Sequence, residues 1–326
     1  MNKYYLFILV LTFGGCYHAE SNNVVKSSLP SATLNTVLNT KKWNHGAADC
    51  SNDTNPAFEI FRYDDISYIL RQNKCLTFEA PFIYLLFGAD KTLLLDTGAI
   101  KDETKAPLFS LVTSLVEELV NNGKLTSNEI LVIHSHSHND HKAGDVQFSK
   151  REHVTLVAAN NQAVVNYFGF EKWPQGQSYI DLGNRKITVI PTPGHQEEAI
   201  SLYDEHTKWL LTGDTLYPGY IYIKNWKDYR ASINRLSEFS KTHEVSYILG
   251  SHIEMKTKAG EYYPIGTTFQ PDEAPLALPP YSLTVLNTAL QEANKPKKII
   301  LDNFIIAPLS TFQKVIGSIL KWFSSE

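Results

Sequence analysis

The chain has 326 residues, 43% of them hydrophobic, with a formal net charge of −4. That is enough apolar content to bury a sizeable core, and the length need not mean two domains. With the balance slightly acidic and no basic run, nothing is suited to holding a nucleic-acid backbone, and no nucleic-acid partner is expected.

Met1-Asn2-Lys3 is a short basic start, followed by a largely apolar run from Tyr4 to Phe13 and then Gly14-Gly15-Cys16. Residues 1–16 read as a signal peptide, since a spanning helix needs roughly 20 apolar residues. Small residues before a cysteine resemble a bacterial lipoprotein cleavage site, although Phe13 is not the usual leucine. Lipidated Cys16 would then attach the mature chain to a membrane; plain secretion with cleavage nearby is the alternative. Either way the expectation is an exported protein, periplasmic or membrane-anchored. Residues 17–55 are rich in Ser, Asn and Thr and read as a flexible tether. Setting Cys16 aside leaves Cys50 and Cys75, a pair that could bond in an oxidising compartment.

Residues 56–255 carry the readable core. Strands at 82–88 and 92–96 flank the turn Ala89-Asp90-Lys91. After Pro107, Leu108, Leu111, Val112, Leu115 and Leu119 recur at helical spacing until Asn122-Gly123 stops them. Ile130–Ile133 reads as a buried strand, Val154–Ala159 as a strand and Gln162–Phe168 as a helix. Strand pairs return at 186–192 and 199–212, and Asp228–Ser240 looks helical. This alternation, with a hairpin in each half, fits an α/β protein with two packed sheets and helices outside.

The chemistry concentrates at strand ends. Directly after Ile130–Ile133 comes His134-Ser135-His136-Ser137-His138-Asn139-Asp140-His141, spaced His-x-His-x-Asp-His. Imidazole and carboxylate are ligands suited to zinc, with iron or manganese as alternatives. Three more strand ends reach a glycine and then a ligand-type residue: Gly194-His195, Gly213-Asp214 and Gly250-Ser251-His252. Glycine lets the chain turn sharply, so that the side chain beyond it can face a common point. Five histidines and two aspartates are too many for one tetrahedral ion and suit two ions sharing a bridging carboxylate.

The set His136, His138, Asp140, His141, His195, Asp214 and His252, with the upstream Asp96-Thr97-Gly98, resembles the metallo-β-lactamase superfamily over roughly residues 57–255. The resemblance implies a four-layer αββα sandwich with two zinc ions. His136, His138 and His195 would hold the first ion, Asp140, His141 and His252 the second, and Asp214 would bridge them. Asp96 would support ligands from behind. His134 lies outside the pattern and reads as a strand-end polar residue. His18, His45, His153, His206 and His243 read as solvated.

A bridging aspartate at 214 is the pattern of thioesterases of the glyoxalase II type, lactonases and phosphodiesterases in that superfamily, not of its zinc β-lactamases. The expected function is hydrolysis of a carbonyl ester, thioester or lactone in a small-molecule substrate. Asp140 and Asp214 would orient the attacking water and relay a proton. Tyr217 resembles the tyrosine that lactonase-like members place over the substrate carbonyl, with plain packing the alternative. A β-lactamase, an iron-dependent redox enzyme and a non-catalytic metal-binding surface lipoprotein also stand. Residues 256–326 read as an extension packing on the core. In it the loop from Gly260 to Pro280 could form a pocket wall, and Phe312 to Phe323 carries one apolar helical stripe. Oligomeric state is not legible.

Overall fold

The computed structural model describes residues 37–310. The signal-peptide reading, Cys16 and the stripe from Phe312 to Phe323 lie outside them. Six strands form the first sheet in chain order: β1 (Phe58–Asp64), β2 (Ser67–Gln72), β3 (Phe82–Phe87), β4 (Thr92–Leu95), β5 (Ile130–Ile133) and β6 (Val154–Leu156). β1 to β4 run antiparallel, and β5 and β6 continue parallel to β4. The second sheet repeats the plan with β7 (Ser178–Asp181), β8 (Lys186–Pro191), β9 (Ile200–Asp204) and β10 (Trp209–Gly213) antiparallel. Then β12 (Tyr247–Gly250) lies parallel to β10, and β13 (Ala277–Leu278) closes the edge.

The period of two in each strand assigns its side chains to one of two cores. Phe82, Tyr84 and Leu86 on β3 point inward with Leu93, Leu95, Leu131 and Ile133. They meet Ile187, Val189, Ile200, Leu202, Trp209 and Leu211 of the other sheet. The alternate residues Ile83, Leu85 and Phe87 face Val112, Val116 and Leu119 of helix α1 (Leu108–Asn121). The outer face of the second sheet packs Tyr203, Leu210 and Ile248 against a helix pair, α5 (Trp226–Thr242) and α6 (Tyr281–Glu292), through Tyr229, Ile233, Leu236, Leu283 and Leu286. Helix, sheet, sheet, helix is the expected four-layer sandwich. Short helices α2 (Asn139–Lys142), α3 (Asp145–Phe148) and α4 (Asn161–Phe168) fill the connections.

Part of the segment read as a flexible tether is core. Leu38 and Trp43 are buried, and the Trp43 ring stands edge-on to Phe82 at 4.8 Å and to Phe61 at 5.6 Å. Composition missed this because two apolar side chains among many polar ones are enough to dock a segment. Cys50 and Cys75 form a disulfide, with Cα atoms 5.2 Å apart, which ties this segment to the turn after β2. Beyond residue 255, β15 (Ile305–Pro308) pairs in parallel with β11 (Tyr220–Ile223) and antiparallel with β14 (Ile299–Ile300), so the extension completes a third, small sheet. No helix among the described residues is long and apolar enough to cross a membrane.

Candidate metal centre

The C-terminal ends of β4, β5, β8, β10 and β12 open on one edge of the sandwich, and each releases a polar residue there. β5 ends at Ile133, and the turn after it delivers His136 and His138. α2 then places Asp140 and His141 on consecutive positions. The turn after β8 needs Gly194: its φ is +145°, and a Cβ there would meet the Tyr229 backbone at 2.5 Å. That close approach lets His195 point back over the sheet edge.

Two groups of side chains converge, each with ligand atoms within 4.8 Å of one another: His136, His138, His195 and Asp214; and Asp140, His141, Asp214 and His252. Asp214 belongs to both. Its Oδ2 lies 3.6 Å from His136 Nε2 and 3.5 Å from His195 Nε2. Its Oδ1 lies 3.6 Å from His141 Nε2 and 3.4 Å from His252 Nε2. Atoms bound at about 2.0–2.1 Å to one tetrahedral ion stand about 3.3 Å apart, which is the spacing seen. Asp214 Oδ1 is buried and has no hydrogen-bond partner. His138 Nδ1 faces His136 Nε2 at 2.9 Å and His195 Nε2 at 3.1 Å. A buried carboxylate oxygen without a donor, and imidazole nitrogens turned toward one another, fit a cation between them.

Electrostatics divide the two groups. Burial pushes His136 well below the usual histidine range, takes His138 down to about 3 and lowers His195, so their lone pairs are available to a metal. Burial also acts against charge on His141 and His252. There the carboxylates Asp140 and Asp214 prevail, holding His141 well above its usual range and His252 at about 9. Asp140 and Asp214 are correspondingly held well below the carboxylate range, since the histidines outweigh the cost of burial.

Acceptors behind the imidazoles fix their orientation. Asp96, at φ +70°, accepts from His141 Nδ1 at 2.8 Å, from the Ser135 amide at 2.7 Å and from Ser135 Oγ at 2.9 Å. His195 Nδ1 donates to the Tyr222 carbonyl at 2.7 Å, and His252 Nδ1 to the Glu79 carbonyl at 3.0 Å. With Nδ1 occupied, Nε2 of each faces the group. The sequence reading missed Glu198, whose buried carboxylate accepts from the Ser137 amide at 2.8 Å, and Gln196, whose amide lies against His138 Nε2. Their place just after His195 was the only hint. For the Glu79 and Tyr222 carbonyls there was none, because a backbone acceptor leaves no mark in residue type.

Tyr217 lies beside the second group. It is buried with its ring 5.4 Å from that of His252, but its hydroxyl faces the Tyr220 carbonyl at 3.3 Å and Glu254 at 3.4 Å. The ring packs there, and the hydroxyl is within reach of these two acceptors. His134 faces neither group. Lys256 and Lys258 both turn onto Glu261.

An αββα sandwich with two such clusters at its edge defines a metallo-hydrolase. More particularly, the profile of the metallo-beta-lactamase superfamily matches residues 76–252, over half of the chain and all seven converging residues, and the chain belongs to that superfamily. Acyl-coenzyme A thioesterase MBLAC2 of Bos taurus is 24% identical over 202 residues, 52% of this chain and 72% of that protein. Hydroxyacylglutathione hydrolase of Brucella abortus (strain 2308) is 30% identical over 83 residues, 26% of this chain and 32% of that protein. A solved metallo-beta-lactamase from Pontibacter korlensis aligns over 73% of this chain and 100% of its own, at 16% identity and TM-score 0.46.

Proposed function

We propose that the protein is an exported two-zinc hydrolase of carbonyl esters, with thioesters the favoured class. The observation that carries this is Asp214, which offers one carboxylate oxygen to each cluster. His136, His138 and His195 would hold the first ion, Asp140, His141 and His252 the second, and Asp214 both. Two zinc ions bound there supply a polarised substrate carbonyl and a water acidic enough to act as nucleophile near neutral pH.

The chain's own residues do the rest. Asp214 is buried between the clusters and orients the attacking water. Asp140 is the more exposed carboxylate, its side chain 18% exposed against 8% for Asp214, so it can exchange a proton with a substrate at the rim. In hydrolysis the water oxygen bonds to the carbonyl carbon, the carbon–sulfur bond breaks, and Asp140 passes the water's proton to the departing thiolate. No side-chain nucleophile is required: Cys50 and Cys75 are bonded to each other.

The thioester preference draws on the two relatives named above, an acyl-coenzyme A thioesterase and a hydroxyacylglutathione hydrolase. Export draws on the reading of residues 1–16 and on the disulfide, which suits an oxidising compartment. The test is hydrolysis by the zinc-loaded protein of an acyl-coenzyme A, a glutathione thioester, an acyl-homoserine lactone and a cephalosporin in parallel. Turnover of either thioester well above the others is the expected result. Preference for the cephalosporin, or a requirement for iron in place of zinc, would overturn this reading.

A further inference from the structure

Between them, residues 134 and 145 bracket the loop that carries His136, His138, Asp140 and His141, and their side chains close it. His134 is buried, with Nε2 2.8 Å from Asp145 Oδ1 and Nδ1 3.1 Å from the Val157 carbonyl just beyond β6. The same Asp145 oxygen accepts from Thr97 Oγ1 at 2.8 Å. Thr97 in turn donates its amide to the His141 carbonyl at 2.7 Å, and the Gly98 carbonyl accepts from the Ala143 amide at 3.0 Å. Gly144 lies so close that a Cβ on it would meet the Thr97 carbonyl at 2.3 Å. Helix α2 is thus held at its far end by Asp145 and Thr97, while the ring of His141 is aimed by Asp96.

The other half of the loop has a separate anchor. The Ser137 amide, between His136 and His138, is held by Glu198 at 2.8 Å from the second sheet. The loop is also held at Ser135 by Asp96, so the Glu198 contact lies within the half that carries the first cluster and the Asp145–Thr97 contacts lie at the end of α2, on the side of the second. A helix of only four residues has too few internal hydrogen bonds to hold its own place, so external contacts must set where Asp140 and His141 sit.

We propose that His134 and Asp145 are a positioning pair for the second ion alone, fixing α2 so that Asp140 and His141 reach it together with His252. The inference rests on the two-ion reading above. It predicts that the ions respond differently when the pair is broken, since the Glu198 anchor of the first cluster is untouched. Partners one step behind metal ligands typically change metal affinity by about 10–100-fold.

The experiment titrates metal-free full-length protein with zinc under chelator competition. It compares wild type with Asp145→Ala, His134→Phe and Asp145→Asn, and follows the melting temperature of each metal-free form. The expected result is that Asp145→Ala and His134→Phe weaken the second ion about 10–100-fold and the first by no more than about twofold. Asp145→Asn keeps an oxygen for both donors and should recover most of the loss. Variants that bind both ions as wild type does would overturn the proposal. So would a parallel loss of both ions with a fall in the metal-free melting temperature, because that marks a merely structural contact. A wild type that binds one ion would overturn the two-ion reading itself.

Discussion

Asp214 is the residue on which most depends. It sits 7% exposed among four imidazoles, with its Oδ1 lacking a hydrogen-bond donor. Replacing it by alanine removes the carboxylate common to both clusters. We expect Asp214→Ala to lose at least one bound zinc and nearly all turnover while the fold persists, checked by metal analysis, rate and circular dichroism. Titration of the same cluster makes a second prediction, for the metal-free protein. His252 is raised in the folded state to about 9, so its stabilisation is complete below the unfolded value near 6.5 and is lost as pH rises through about 9. His138, held at about 3, acts oppositely: the unfolded chain takes up its proton first, and stability falls as pH drops below about 6.5. Denaturant midpoints of the metal-free protein should therefore peak near pH 6.5. A midpoint that rises steadily from pH 6.5 to 9 would contradict the charge pattern described.

At the scale of elements, the turn between β2 and β3 links the N-terminal segment to the site. Cys75 and Glu79 lie on this turn; Cys75 is bonded to Cys50, and the Glu79 carbonyl accepts from His252 Nδ1. Lys74 Nζ donates to the Phe78 carbonyl at 2.9 Å and closes the turn further. The disulfide spans 25 residues, and a loop of that size is stabilised by about 3 kcal/mol when cross-linked. Cys75→Ser should lower the denaturant-derived stability by about that amount, with the second zinc weakened more than the first. Equal stability with and without reductant would refute it.

For the whole molecule, one buried cation adds polar contacts to the apolar core that joins the two sheets. Arg185, just before β8, reaches both oxygens of Asp204 at 3.0 and 2.5 Å in its own sheet. It also donates to the Ile66 and Phe87 carbonyls and to Ser67 Oγ in the other sheet, at 2.6, 3.0 and 2.9 Å. Removing one member of such a pair leaves an uncompensated buried charge, costing about 3–5 kcal/mol. Arg185→Ala should lose about that much in a denaturant titration. A loss below about 1 kcal/mol would show that the sheets hold together without this cation.

The amino-acid sequence by itself determined which residues could bind metal, because ligand chemistry belongs to residue type and the spacing His-x-His-x-Asp-His is local. It also determined the strands that carry them, since Ile130–Ile133, Lys186–Pro191 and Trp209–Gly213 are short apolar runs ending in turns. The sandwich was legible from the alternation of strands and helices together with the family resemblance. Only the tertiary structure decided the rest. Trp43 and Leu38 read as tether because burial depends on what lies opposite, and β14 and β15 went unread because what makes them strands is pairing, β14 with β15 and β15 with β11. That Tyr217 turns its hydroxyl to Glu254, that carbonyls of Glu79 and Tyr222 aim two histidines, and that Asp145 reaches back to His134 are all outcomes of chain crossings. Spacing along a chain specifies what can bind; the direction in which each group points is set by partners distant in sequence.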